Sequence, residues 1–495
     1  MTGVEADRIR SVAKDCVHCG FCLPSCPTYQ LWGEEMDSPR GRIHLVSQLL
    51  DGAPLTPATA DHFDRCLGCM ACMTACPSGV QYDQIIEAAR LWTESPDEVA
   101  APVEGKPAGR SLRDRATREA IFAVFPYPRR LRALTAPLRL AQRTGLDRMI
   151  ARSGIAGRVS PAADAALRIA PPSQRPFPAG RFPERVPALG KRRAVVGMLT
   201  GCVQSVFFPR VNAATARVLA AEGCDVVIPR DQGCCGALSL HSGRADEAAR
   251  FARRMIETFE AAEVDAIVVN SAGCGSAMKE YERLFAHLGE AGDDGSEGVT
   301  QAEEFPSLAA GSSLSDLGAD GSSSPTAESP SPAFAGQVEA ASWVARAEAL
   351  SARVKDLSEF LAELGPVATR HPLPVKAAYH DACHLGHAQR ITAQPRSLLR
   401  GIPELELTEL PDAGTCCGSA GVYNLLQPEA ASELGARKAD AVLATGASLV
   451  ISGNPGCTMQ ISAELASRGI SLAMAHIVEV LDASIRGTSP WGSRG

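Results

Sequence analysis

Two runs of cysteine stand out for their chemistry. Cys16-x2-Cys19-x2-Cys22-x3-Cys26-Pro27 is a complete bacterial iron–sulfur spacing, and Cys66-x2-Cys69-x2-Cys72-x3-Cys76-Pro77 repeats it. Cysteines three apart on a turning backbone can put three thiolates on three irons of one cubane, while the fourth points away and ligates the other cluster. The spacing therefore predicts two [4Fe–4S] clusters, one on Cys16, Cys19, Cys22 and Cys76, the other on Cys26, Cys66, Cys69 and Cys72. Gly20 and Gly68 suit a backbone curling round an inorganic core. Zinc sites usually use paired C-x2-C units, so two full four-cysteine runs argue against zinc here.

Eight further cysteines fall in two sets. Cys202, Cys234, Cys235 and Cys274 reappear as Cys383, Cys416, Cys417 and Cys457, displaced by 181, 182 and 183 residues. Register kept over so long a gap marks an internal repeat. Each copy carries Cys-Cys-Gly, and each set offers four thiols for an additional metal or cluster; the plain alternative is unligated buried thiol. Cys224 lacks a counterpart and reads as core packing. His380 and His384 flank Cys383, and His241 follows the first Cys-Cys-Gly; a lone histidine is more often a polar filler than a ligand. Arg40 and Arg42, in SPRGR, read as surface or carboxylate-paired arginines rather than partner-docking groups.

These residues need elements to hold them. Residues 194–288 alternate strand and helix patterns (AVVGMLT, NAATARVLAAEG, CDVVIP, DAIVVNS), and 375–486 repeat the alternation, as parallel α/β structure does. All three cysteine positions of each copy fall just past strand carboxyl ends, where open α/β sheets build sites. The expected fold is a helical two-cluster ferredoxin-like module over 1–92, a basic helical linker over 93–193, a first cysteine-rich repeat over 194–288, a disordered Gly/Ser/Pro insert over 289–336, a connecting helix over 337–374 and a second repeat over 375–495. The linker holds 20 Lys/Arg against 5 Asp/Glu between 106 and 193, with helices expected near 112–124 and 128–151.

The chain has 495 residues and a formal net charge of -7, which gives no global basic character for nucleic acid. No 18-residue apolar run suggests a spanning helix. The polar N-terminus reads as lacking a signal peptide, so a cytoplasmic protein with reduced thiols is expected, and its 17 cysteines read as metal ligands rather than disulfides. One stretch suggests contact with a lipid surface: Phe122, Phe125, Tyr127, Leu131, Leu134, Leu138 and Leu140 interleave with Arg129, Arg130, Arg132, Arg139 and Arg143. A helix packed on the core with a solvated basic face is the favoured reading of it.

VHCGFCLPSCPTYQLWGEEMDSPRGRIHL, RCLGCMACMTACPSGVQY, and two repeats ending in GTCCGSAGVYNL and NPGC strongly resemble the iron–sulfur subunit of glycolate oxidase, over 12–92 and about 194–486. The ferredoxin runs are shared with many electron carriers; the SPRGR stretch and paired CCG repeats are narrower, shared with subunits of lactate utilisation, anaerobic glycerol-3-phosphate dehydrogenase and heterodisulfide reductase. The resemblance implies a complex with FAD-binding oxidase subunits that oxidise a 2-hydroxy acid, glycolate to glyoxylate, and pass electrons through the clusters toward quinone or another membrane acceptor. Hydride chemistry would lie on the partner, since the chain has no G-x-G-x-x-G fingerprint. Two departures stand out. Heterodisulfide reductase repeats typically end in C-x2-C, whereas Ala277 and Gln460 occupy those positions, which argues against a self-contained thiol/disulfide enzyme. The basic linker and the 289–336 insert look longer than the family core requires.

Overall fold

The computed structural model describes residues 3–95, 110–153, 158, 161–171, 182–291 and 332–491. Three bodies follow in chain order. The first is helical: Gly3–Lys14, Pro27–Trp32, Pro39–Leu50, Pro57–Asp64, Ala71–Ala75 and Tyr82–Glu94 enclose a core of Ile9, Val46, Phe63, Ile85, Ile86 and Trp92. Proline at the first helical position starts three of these helices, where its missing N–H costs nothing.

SPRGR is explained residue by residue. Ser38 Oγ caps the helix Pro39–Leu50 by accepting from Gly41 N at 3.1 Å. A Cβ on Gly41 would collide with the Glu35 carbonyl, so the helix can approach its neighbouring turn only with glycine there. Arg40 pairs with Glu35 at 2.5 Å, half-exposed. Arg42 is not a surface group: it is 1% exposed and lies beside the fully buried Asp37 at 3.4 Å. The carboxylate-paired reading holds for both arginines.

The repeats are two open sheets. In the first, β1 (Arg185–Val186), β2 (Ala194–Met198), β3 (Cys224–Val227), β4 (Ala266–Val269) and β5 (Val354–Asp356) stand in the order β1-β3-β2-β4-β5, parallel except for β1. In the second, β6 (Val375–His380), β7 (Leu405–Glu409), β8 (Leu449–Ser452) and β9 (Ala473–His476) stand in the order β7-β6-β8-β9, all parallel. The order β3-β2-β4-β5 matches β7-β6-β8-β9 strand for strand, so the duplication seen in the cysteines extends to topology. One continuous core, with Val196, Val218, Leu357, Tyr379, Leu449 and Val480, runs through both copies.

Two expectations about elements need correction. The connecting helix expected over 337–374 is a helix Pro332–Ser351, then β5, then a helix Leu357–Leu364. Val354-Lys355-Asp356 is too short to show a period; it is a strand because β4 offers a parallel edge, pairing Ile267 with Val354. The strand β9 and the helix Ile477–Ile485 were not foreseen either. In the linker, the helices Leu112–Phe122, Pro128–Thr144 and Leu146–Ser153 match the expected positions, with Gly145 at φ 76 dividing the second stretch in two. Most of the insert expected to be disordered, 292–331, lies outside the described residues.

Candidate metal centres

The two ferredoxin runs adopt the same backbone. In the first, His18 and Gly20 have φ of 54 and 82; in the second, the matching Gly68 and Met70 have φ of 64 and 60. Left-handed residues alternating with right-handed ones turn successive N–H groups toward one concavity, the arrangement that receives anions and iron–sulfur cores. His18 and Met70 hold a conformation that costs non-glycine residues about 1–3 kcal/mol, a strain retained where the surroundings impose it.

The runs cross over. One cavity is lined by Cys16, Cys19, Cys22 and Cys76, and also by Cys72. A second is lined by Cys26, Cys66, Cys69 and Cys72. Among the described residues every cysteine is a free thiol. Four convergent thiols on a strained, N–H-bearing loop are the donor set a [4Fe–4S] cluster needs, so the residues fit that group. The two cavities differ in exposure: Cys19 is exposed and Cys16, Cys22 and Cys76 half-buried, whereas Cys26, Cys66, Cys69 and Cys72 are all buried.

Arg42 stands behind the inner set. Its Nε donates to the His62 carbonyl at 2.6 Å, and its terminal nitrogens donate to Thr28 Oγ1 at 3.2 and 3.3 Å. Asp37 is also held by Arg65 at 2.9 Å. Burial pushes the Cys66 thiol up, but Arg42 and Arg90, with hydrogen bonds from the Gly68 amide and Tyr82, more than offset it, and the thiol ends below its usual range. Cys69 and Cys72 are pushed well above theirs by burial. Charge thus favours thiolate at one corner of the site.

Within each repeat the four cysteines meet. Cys202 Sγ lies 3.6 Å from Cys234 Sγ, and Cys235 bonds both Cys234 and Cys274. In the second copy contacts run from Cys383 to Cys416, to Cys417, to Cys457. The glycine of each Cys-Cys-Gly has a physical cause. Gly236 has φ 81 and Gly418 φ 88, and a Cβ there would come within 3.0 Å of the Ala248 carbonyl and 2.5 Å of the Ala431 carbonyl. Glycine lets the following helix pack over the thiol pair. Gly236 N also donates to Cys234 Sγ at 3.4 Å. Cys274 and Cys457 fall in the first turns of the helices Ala272–Lys279 and Pro455–Ser467.

Both sets face one cavity of about 190 Å³, which also borders Cys66 and Gly68 of the ferredoxin module. The sequence placed the two sets in separate repeats; tertiary structure brings all eight thiols to a common space. His241 and His384 meet over it, ring centroids 4.9 Å apart. His384 Nε2 bonds the Gly68 carbonyl at 3.0 Å, and burial lowers its pKa to about 3, which keeps it neutral. Cys224 sits in β3, fully buried in the core, with its pKa raised to about 11 by burial.

Two lining groups, Arg90 and Tyr423, and a neighbouring one, Tyr281, carried no sequence signal. Arg90 donates to the His241 carbonyl at 2.6 Å and to the Cys66 carbonyl, tying the ferredoxin module to the first repeat. Tyr423 OH donates to the Arg65 carbonyl at 3.2 Å from the second repeat. Tyr281 OH donates to the Cys235 carbonyl at 2.6 Å. All act on backbone carbonyls, so no pattern of residue types announces them.

Family models match four segments of the chain. A 4Fe-4S dicluster domain matches 12–80, and a cysteine-rich domain named CCG matches 196–279 and again 377–462. A model described as the glycolate oxidase iron-sulfur subunit linker region matches 113–169. Residues 113–169 of the basic stretch are thus similar to that family's own linker. A probable glycolate oxidase iron-sulfur subunit of Bacillus subtilis (strain 168) is 32% identical, covering 94% of this chain and 93% of its own length. The glycolate oxidase iron-sulfur subunit of Escherichia coli (strain K12) is 31% identical over 97% and 96%. Lactate utilization protein A of Exiguobacterium sp. is 28% identical, covering 59% of this chain and 98% of its own length. With relatives of that identity across nearly the whole length, and a helical dicluster module joined through the same linker to two CCG repeats, the chain belongs to the glycolate oxidase iron–sulfur subunit family.

Proposed function

We propose that this chain is the electron-transfer subunit of a flavin-linked glycolate dehydrogenase, carrying electrons from a partner FAD subunit toward a membrane acceptor. One observation carries the reading: the three thiol-lined cavities are contiguous. The outer and inner ferredoxin cavities share Cys72, and the inner one shares Cys66 with the cavity between the repeats. A chain of redox centres at such spacing is a wire, and its exposed end at Cys19 is where an external partner can come close. Two [4Fe–4S] clusters would supply one-electron transfer. Cys16, Cys19, Cys22 and Cys76 would hold the outer cluster, and Cys26, Cys66, Cys69 and Cys72 the inner one. The CCG cysteines would hold a further metal or cluster. What this chain's own residues contribute is thiolate ligation, N–H groups turned to the core and a buried guanidinium that favours the reduced state.

The names of the relatives support glycolate as the substrate oxidised by the assembled complex. The chain's own residues supply no substrate chemistry, since its clustered thiols fit a metal better than an acid. The test is direct. Purified anaerobically, the chain should contain about eight irons from its N-terminal module and show no glycolate-dependent dye reduction until the flavin subunit is added. Cys19→Ser should deplete the outer cluster and Cys69→Ser the inner one. Turnover by the chain alone would instead favour a self-contained redox enzyme at the CCG cavity, and depletion of the same cluster by both substitutions would overturn the ligand division.

A further inference from the structure

The two repeats are not chemically equivalent. His380 ends β6 with 1% of its surface exposed, and neither ring nitrogen has a hydrogen-bond partner. Its register partner on β8, Ser452, is fully buried and its hydroxyl is also unpartnered. A buried donor or acceptor left unpaired forfeits its hydration with nothing in return, so an orphaned imidazole calls for something to bind. Two thiols are in reach: one ring nitrogen of His380 and the sulfurs of Cys417 and Cys457 lie within 4.8 Å of one another, all three residues buried. In the first repeat the matching positions are Leu199 and Val269, both buried and apolar. The nearby charge is balanced, because the buried Lys438 is paired with Asp412 at 2.8 Å.

We propose that His380, Cys417 and Cys457 form a mixed imidazole–dithiolate site for a single zinc ion, present in the second repeat and absent from the first. This rests on the reading that the CCG cysteines are metal ligands, and gives the second copy its own chemistry. Tetrahedral zinc with Zn–S of about 2.3 Å and Zn–N of about 2.0–2.1 Å brings ligand atoms to roughly 3.5–3.8 Å from each other, an inward shift of at most about 1.3 Å. A four-iron cluster places each thiolate on a different iron and would spread the ligands apart. Binding displaces one proton from each thiol, so two protons leave as the ion enters. Asn454 Nδ2, 3.3 Å from Cys457 Sγ, is placed to donate to the resulting thiolate. Cys417 and Cys457 both line the shared cavity, so the fourth position would open toward it.

The test uses the full chain. Elemental analysis should find one zinc besides about eight irons. His380→Leu, which installs the first repeat's residue, should lower zinc retention at least ten-fold under chelator dialysis with the iron unchanged. Should that variant fail to fold, X-ray absorption at the zinc edge of the unmodified chain decides: a shell of two sulfurs and at least one nitrogen supports the site. An all-sulfur shell, absence of zinc from the unmodified chain, or full zinc in His380→Leu overturns it. Loss of the eight irons would count against the electron-transfer reading instead, so the two failures are distinguishable.

Discussion

Arg42 sits where a single charge has the most leverage. Its guanidinium is buried beside Cys26 and Cys66. A cation next to a site that becomes more negative on reduction favours reduction, and burial weakens the screening that would hide it. Arg42→Met should lower the midpoint potential of the inner cluster by on the order of 60 mV, a factor of ten in its one-electron equilibrium. Asp37 keeps Arg65 and His62 as partners, so the variant should fold. A redox titration followed by electron paramagnetic resonance reads the shift; an unmoved potential with unchanged iron would leave Arg42 a purely structural residue.

At the scale of elements, the linker helix Pro128–Thr144 combines two roles suggested by its composition. Leu131 and Thr135 are buried, and Phe122 packs just before it, so one face is fastened to the body. Arg139 donates to the Val206 carbonyl at 3.3 Å, tying it to the first repeat. Its solvent-exposed side shows Leu134 and Leu140, 57% and 63% exposed, with the exposed Arg129, Arg130 and Arg132. Packed helix and lipid-facing surface are therefore compatible. Among the described residues no helix is long and apolar enough to cross a membrane. Each arginine near an anionic surface contributes about 1 kcal/mol, which salt screens. Binding to anionic vesicles should weaken as ionic strength rises, and Arg129/Arg130/Arg132→Glu should abolish it with the clusters intact. Equal binding by parent and variant in a flotation assay would remove this helix from consideration as an anchor.

At the scale of the molecule, stability and electron path share the same contacts. Arg283 of the first repeat pairs with Asp83 and, at 3.3 Å, with Glu87 of the ferredoxin module. Gly243, at φ 79, lets the chain pass over the Arg90 carbonyl, where a Cβ would clash. Gly243→Ala should cost about 1–3 kcal/mol through left-handed strain alone and lower the melting temperature by a few degrees. Its sharper signature is slower electron transfer from the dicluster module onward, since Arg90 holds the Cys66 carbonyl. A second contact joins the repeats: His476 Nε2 bonds the Asn270 carbonyl at 2.9 Å while its Nδ1 accepts from Val478 N at 3.1 Å. Burial lowers its pKa from 6.5 to about 4. The unfolded chain then takes up a proton that the folded one refuses, so this contribution is whole above pH 6.5 and declines as pH falls to about 4, with a slope of at most about 1.4 kcal/mol per pH unit. Denaturant titrations across that range should show a shallower loss for His476→Asn; parallel curves would disprove the assignment.

The sequence by itself determined the donors. Cysteine spacing and its repetition sufficed to recognise the dicluster module, the duplicated parallel sheets and the family, because ligand spacing and strand period are local properties that survive in one dimension. The linker helices were legible for the same reason. What tertiary structure decided was proximity. Nothing local says that Cys202 and Cys457 share a cavity, that Arg42 is buried rather than exposed, or that Val354-Lys355-Asp356 is a strand, since each depends on a surface supplied by a distant segment. The same holds for His380. Beside Cys383 in sequence it looked like a polar filler, and only the pairing of β6 with β8 carries its imidazole to Cys417 and Cys457, where burial strips away water and leaves the thiols as its neighbours.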